Sequence, residues 1–132
     1  MHPIEKKLQF KEGSCLLILN LPEPLAELVE AWSLVSVFQE KLPEDVNQAD
    51  AMLVFVKKEE DVKAAAEVVN HHLPQDGLLW FSYPKKTSKR YTSEVTRDHG
   101  WEALTDIGLR PVRQVAIDDD WSALRWRPDP KA

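Results

Sequence analysis

The chain has 132 residues, of which 43% are hydrophobic and 30% are charged. This is close to the commonest domain size, so we expect one domain over residues 1–132. An apolar run of about 18 residues would indicate a membrane span, and a charged start with an apolar core would indicate export. The sequence has neither, so we expect a cytoplasmic protein without a membrane partner. The net charge of −5 argues against nucleic acid as a partner, because such proteins neutralise phosphates.

The predicted secondary structure alternates between strands and helices. Apolar or β-branched runs, typical of strands in a covered sheet, lie at 15–19, 34–38, 51–56 and 78–83. Two further strands, at 112–117 and 123–126, are predicted on either side of a short connection. Apolar residues at helical spacing predict helices over 25–32, 57–73 and 93–107. The single cysteine, Cys15, lies in the first strand and is interpreted as a small buried hydrophobe, with a reactive thiol as the alternative.

The order of these elements predicts the fold. Strands that alternate with helices pair in parallel through right-handed crossovers. The last connection, residues 118–122, is too short for a crossover, so the final strand should run antiparallel to its neighbour. We therefore predict a three-layer, Rossmann-like α/β fold with a mostly parallel six-stranded sheet and an antiparallel C-terminal hairpin strand.

Several short stretches carry a resemblance to a known family. They are KKL at 6–8, KEG at 11–13, GLLWFSYPKK at 77–86, TRD at 96–98, GL at 108–109, and Asp118 with WSAL at 121–124. On these the chain resembles a family of small bacterial Rossmann-like domains of unknown function, so this resemblance implies a fold and no activity. The architecture over about residues 10–128 is also similar to the class I methyltransferase fold, reduced by one strand.

A basic loop, residues 84–93, follows the fourth predicted strand. It holds four of the 17 bases and no acid, whereas the rest of the chain has 13 bases against 22 acids. Ligands of open parallel sheets collect outside the carboxyl ends of strands, and the helix predicted from Ser93 would attract anions at its N-terminus. The alternative is a solvated connection in which Thr92 or Ser93 only caps that helix.

Our leading prediction is a non-enzymatic domain that binds an anionic small molecule or an acidic protein surface. The predicted ligand contacts are Lys85, Lys86, Ser88, Lys89, Arg90 and Ser93, with Asp118 and Trp121 as possible pocket neighbours. Three acids at 118–120 could hold a hard cation, but we interpret them as an acidic hairpin turn and predict no metal. Asp118 could instead pair with Lys85.

The methyltransferase resemblance provides an alternative function. In that fold the loop after the first strand is rich in glycine, because the backbone must approach the cofactor closely. Here the loop at 20–24 is NLPEP, with two prolines and no glycine, so we predict that S-adenosylmethionine does not bind and that there is no cofactor. A small or degenerate methyltransferase-type enzyme using Glu40 and this loop is the alternative, and a protein-interaction scaffold domain is a third.

Overall fold

The computed structural model describes residues 3–131, and its strands lie close to those predicted. The strands are β1 (Ser14–Leu19), β2 (Val35–Gln39), β3 (Ala51–Phe55), β4 (Leu78–Pro84), β5 (Leu109–Ala116) and β6 (Trp121–Pro128). The helices are α1 (Pro3–Lys7), α2 (Ala26–Glu30), α3 (Glu59–His72) and α4 (Glu102–Thr105), with a 3-10 turn at Glu23–Leu25 before α2.

The six strands form one mixed sheet in the order β2-β1-β3-β4-β6-β5. Strands β2, β1, β3 and β4 pair in parallel, and β6 pairs antiparallel with both β4 and β5. The predicted fold class is therefore confirmed, including the C-terminal hairpin. Within residues 3–131, no helix combines the length and the apolar character that crossing a bilayer requires.

The centre of the sheet is covered on both faces, which explains why β3 is apolar at every position. All five residues of β3 are buried. Helices α3 and α4 pack on one face, while α1, α2 and the chain leading to β1 pack on the other. Cys15 is half-buried against the first of these clusters. Burial, and then the charge of Asp50, raise the pKa of its thiol, so little of it is the reactive thiolate.

The predicted helix over 93–107 was wrong, because only Glu102–Thr105 is helical. The Oγ of Ser93 accepts the N–H of the residue two positions later at 3.0 Å, and such local bonds compete with helix formation. Gly100 adopts a φ of 98°, which a right-handed helix excludes. Trp101 is buried and donates its Nε1–H to a main-chain carbonyl five residues earlier at 2.7 Å. The helix N-terminus expected to attract anions at Ser93 is therefore missing.

A buried carboxylate fixes α1 to the start of β2. Glu5 in α1 has no exposed surface. Its two oxygens accept the backbone N–H groups of Ser33 at 3.0 Å and Leu34 at 2.8 Å. Hydrogen bonds to an ionised acceptor are stronger than those between neutral groups. This carboxylate therefore stabilises the entry into an edge strand of the sheet.

Replacing Glu5 by glutamine should destabilise the fold. In Glu5→Gln one carboxylate oxygen becomes an NH₂ group, which cannot accept a backbone N–H, and the buried donor loses its partner. We expect a loss of about 2 kcal/mol in the free energy of unfolding, measured by urea denaturation followed by tryptophan fluorescence. Glu12→Gln, at an exposed position, is the matched control. Equal stability of the two variants would contradict this role of Glu5.

Candidate functional site

The carboxyl ends of β1, β2 and β3 meet at one edge of the sheet. Asn20 directly follows β1, Glu40 directly follows β2, and Val56 follows β3. Because these strands are parallel, the three positions lie on the same side of the molecule. We call this region the carboxyl edge. Edges of this kind are where open α/β sheets bind ligands.

Asn20 links all three strands at the carboxyl edge. Its backbone N–H donates to the Glu40 carboxylate, at 2.9 Å to Oε2 and 3.2 Å to Oε1. Its side-chain Nδ2–H donates to the carbonyl of Phe55 in β3 at 3.1 Å. Asn20 has a φ of 59°, in the left-handed region that asparagine tolerates better than most residues. The sharp bend after β1 is therefore made without glycine.

Glu40 lies exposed at the end of β2 and has acceptor capacity left over. Its own φ is 69°, and its backbone N–H donates to the carbonyl of Ile18 at 2.9 Å. An ionised carboxylate offers about four lone-pair positions, whereas Asn20 contributes only one N–H. Glu40 can thus accept hydrogen bonds from a ligand while holding the bend.

A small cavity opens beside Asn20 at the carboxyl edge. It has a volume of about 210 Å³ and is lined by Asn20, Pro22, Phe55, Lys57, Asp61 and Trp121. Trp121 and Phe55 are both buried and pack edge to face, with ring centroids 5.2 Å apart. Asp61 accepts the backbone N–H groups of Lys57 and Lys58 at 3.0 and 3.1 Å, so its carboxylate stabilises the start of α3. The cavity therefore combines an aromatic wall with polar groups held by α3.

The basic loop packs over this aromatic wall. Tyr91 lies 5.1 Å from Trp121 between ring centroids, and the Nζ of Lys57 lies 4.6 Å from the centre of the Tyr91 ring. A cation at this distance from a ring face is attracted to it. Lys57 and Tyr91 thus connect the loop to the carboxyl edge, a contact that sequence reasoning missed because the two residues are 34 positions apart.

Two hydroxyls that we predicted as ligand contacts are used to fold the loop. Ser88 donates to Asp120 Oδ1 at 2.8 Å and accepts the backbone N–H groups of Arg90 and Tyr91 at 3.3 and 3.2 Å. The Ser93 hydroxyl lies 3.1 Å from the carbonyl of Lys57, to which it can donate. Both side chains therefore hold the loop against neighbouring elements.

The four basic side chains of the loop do not all line one cavity. Lys86, Lys89 and Arg90 are exposed and Lys85 is half-buried. Among residues 3–131 none of the four forms an ion pair with a carboxylate. Lys85 and Lys86 line a second cavity of about 330 Å³, whereas Lys89 and Arg90 are not part of its lining.

The second cavity contains a polar network that the sequence did not reveal. Gln114 donates from Nε2 to the Tyr83 hydroxyl at 2.9 Å and to Ser122 Oγ at 2.8 Å. Burial raises the pKa of Tyr83, so its hydroxyl stays protonated at neutral pH. Tyr83 packs in the core cluster under α3, while Trp121 packs in the cluster on the opposite face. The two cavities are therefore separated by the sheet.

Asp118, predicted as a pocket neighbour, caps the hairpin turn between β5 and β6. Its Oδ1 accepts the backbone N–H groups of Asp120 and Trp121, both at 2.8 Å. The alternative pairing with Lys85 was wrong, because across residues 3–131 no ion pair joins them. Lys85 instead donates its backbone N–H to the carbonyl of Asp120 at 2.8 Å. Trp121, the other predicted neighbour, lines the cavity at the carboxyl edge.

The bend at Asn20 should respond differently to alanine and to glycine. Both substitutions remove the bond to the Phe55 carbonyl, but only alanine places a methyl group where a positive φ crowds it. We expect the free energy of unfolding of Asn20→Ala, measured by urea denaturation, to be about 1 kcal/mol lower than that of Asn20→Gly. If the Asn20→Ala protein were as stable as the Asn20→Gly protein, residue 20 would not be held in the left-handed conformation.

Comparison with known proteins gives a consistent architecture. No family model and no curated protein sequence matches the chain. Among solved structures, the N-methyltransferase NodS from Bradyrhizobium japonicum WM9 is similar at a TM-score of 0.56 and 15% identity, over 96% of this chain and 92% of that one. A SAM-dependent methyltransferase from Aquifex aeolicus is similar at a TM-score of 0.58 and 16% sequence identity, over 93% of this chain and 86% of that one.

A third similar structure contains a ligand. Aeropyrum pernix fibrillarin, solved with natively bound S-adenosyl-L-methionine, matches at a TM-score of 0.56 and 15% identity, over 89% of this chain and 67% of that one. At these identities the similarity establishes the fold, and it confirms the distant relation to methyltransferase architecture. The same finding corrects our leading functional prediction. The similar solved structures favour the methyltransferase-type alternative, and the prediction of a non-enzymatic, anion-binding domain was wrong.

Proposed function

We propose that this chain is a small methyltransferase-type domain that binds S-adenosylmethionine at its carboxyl edge. The observation that carries the proposal is the hydrogen-bonded pair of Asn20 and Glu40, with 2.9 Å from the Asn20 N–H to Glu40 Oε2. It couples the bend after β1 to an acid at the end of β2. Support comes from the architecture shared with S-adenosylmethionine-dependent methyltransferases.

Glu40 fits the ribose of such a cofactor. In dinucleotide-binding α/β folds an acidic residue accepts hydrogen bonds from ribose hydroxyls. The exposed Glu40 carboxylate accepts one protein N–H, from Asn20. Its remaining lone pairs suit two neighbouring hydroxyl donors. Glu40 would therefore hold the ribose and, through Asn20, the geometry of the loop.

The aromatic wall fits the positively charged sulfonium of the same cofactor. Phe55 and Trp121 are 3% and 2% exposed, so they exclude water from one side of the cavity. Aromatic faces attract onium cations. With about 210 Å³, the cavity is below the usual range of about 300–1,000 Å³ for whole ligands. It would therefore take only part of the cofactor, and the adenosine would lie outside it, along Glu40.

The two prolines of the loop at 20–24 reduce the number of backbone donors at this site but leave the cavity open. Pro22 and Pro24 have no N–H to donate, so the loop after β1 offers fewer backbone hydrogen bonds than a glycine-rich loop. Pro22 is half-buried with a φ of −64° and a ψ of 137°, and it forms part of the cavity wall. Binding would therefore depend more on the side chains of Glu40, Phe55 and Trp121.

When bound, the cofactor supplies a methyl group that leaves its sulfonium for a nucleophile on the acceptor. The chain's own part in this reaction is to bind, orient and shield. Glu40 would fix the ribose, Phe55 and Trp121 would shield the reacting centre from water, and Asn20 would hold the loop in place.

Isothermal titration calorimetry with S-adenosylhomocysteine tests the proposal. We expect saturable heat with the wild type. For Glu40→Gln we expect about tenfold or more weaker binding, since a hydrogen bond to a charged group contributes about 1.5–3 kcal/mol. Glu44→Gln, a nearby exposed acid, should bind as the wild type does. Absence of saturable heat with the wild type at about 1 mM ligand would contradict cofactor binding. Equal affinity of Glu40→Gln and Glu44→Gln would contradict the role of Glu40.

A further inference from the structure

The two edges of the sheet differ in how they are protected against further pairing. At one edge, β5 contains Pro111 and an irregular register between Pro111 and Arg113, and it carries exposed arginines. Proline, charge and bulges all discourage an additional strand. At the other edge, β2 has the sequence VSVFQ, with no proline and no charged residue. The β2 edge is therefore open to a further strand.

A groove runs beside β2. It has a volume of about 280 Å³ and is lined by Ala26, Val29, Glu30, Trp32, Val35, Val37 and Gln39. The three β2 residues in this lining alternate along the strand, so they lie on one face of the sheet. The other wall comes from α2 and the turn after it. We call this the β2 groove; its lining combines the apolar side chains of Ala26, Val29, Trp32, Val35 and Val37 with the polar ones of Glu30 and Gln39.

Trp32 gives the β2 groove an unsatisfied donor. Its side chain is buried, with 8% of the residue exposed, and its Nε1 has no hydrogen-bond partner among residues 3–131. Buried donors without partners are rare in folded proteins. This nitrogen has almost no exposed surface, so an acceptor in the groove would reach it only after a rearrangement of the Trp32 ring.

The part of the chain around the β2 groove is strongly acidic. Residues 22–50 contain seven acids and one base, whereas the whole chain has a net charge of −5. Glu27 and Glu30 are both exposed on α2, next to the groove. In a two-fold dimer through β2 the same acidic surface would face itself, and like charges across an interface disfavour binding. The surface therefore favours a basic partner over a second copy of this chain.

We propose that the β2 groove docks an extended, basic peptide segment of a partner protein, which pairs with β2 as a seventh strand. Main-chain hydrogen bonds to a sheet edge supply affinity in this mode of recognition, and alternate side chains supply specificity. Small apolar side chains of the segment would enter the groove beside Val35 and Val37. Lysine or arginine on the same face of the segment, at its two ends, would lie on the side of α2 that carries Glu27 and Glu30. This docking is independent of cofactor binding at the carboxyl edge.

Fluorescence anisotropy with a labelled peptide tests this proposal on the full chain. The probe is KTVTVTVTK, in which the lysines and valines share one face, with ETVTVTVTE as the charge-reversed control and KTVPVPVTK as a control that cannot form a strand. We expect saturable binding of the first peptide alone, weakening as salt is added because exposed charges are screened. No saturable binding of the basic peptide up to about 1 mM, or equal binding of all three peptides, would overturn the proposal.

Variants locate the binding on the protein. Val37→Lys places a charge in the β2 groove and should weaken binding about tenfold or more. Val112→Lys, at a 43% exposed position on the β5 edge, is the matched control and should leave binding unchanged. If Val37→Lys does not fold, the double variant Glu27→Gln/Glu30→Gln keeps the groove and removes two charges, and should bind less tightly at low salt. If both groove variants bound the peptide as tightly as the wild type does, the assignment would be contradicted. It would also be contradicted if analytical ultracentrifugation showed a wild-type dimer that Val37→Lys dissociates.

Discussion

The hydrogen bonds of Asn20 hold the carboxyl edge together. A single residue in the left-handed conformation ends β1 and reaches both neighbours, through its N–H to Glu40 after β2 and through its side chain to Phe55 in β3. Without these contacts, the three strand ends would still be paired along the sheet, but the loop after β1 would lose its fixed direction. The cavity beside Phe55 and Trp121 depends on that direction, because Asn20 and Pro22 form part of its wall.

Much of the fold was predictable because its central strands, β1, β3 and β4, are largely buried on both faces. Each apolar run in the sequence became a strand within a few residues of its expected bounds, and the short join at 118–122 correctly predicted an antiparallel hairpin. The failure at 93–107 has a physical cause: Ser93 bonds to the backbone and Gly100 has a positive φ. Apolar spacing alone did not distinguish a helix from an irregular segment that buries Val95 and Trp101.

The candidate site was predicted in part. Glu40, the loop at 20–24 and Trp121 were all identified from sequence, the first two as the alternative site. The hydrogen bond between Asn20 and Glu40 was not predicted, because the two residues are 20 positions apart in the sequence and meet only when β1 and β2 pair. The absence of glycine in the loop at 20–24 led us to predict that no cofactor binds. Asparagine makes the bend there with a positive φ, and the proposed function departs from that prediction. The charge of the basic loop led us to predict ligand contacts there, but the hydroxyls of Ser88 and Ser93 form hydrogen bonds that fold the loop.

The central claim is that an adenosyl cofactor binds where β1, β2 and β3 end. Its most direct test is to follow backbone amide chemical shifts by NMR while S-adenosylhomocysteine is added to ¹⁵N-labelled protein. We expect saturable shifts that cluster at Asn20, Glu40 and Lys57, with residues 85–90 little affected. Shifts confined to residues 85–90, or no saturable shift at all, would contradict it.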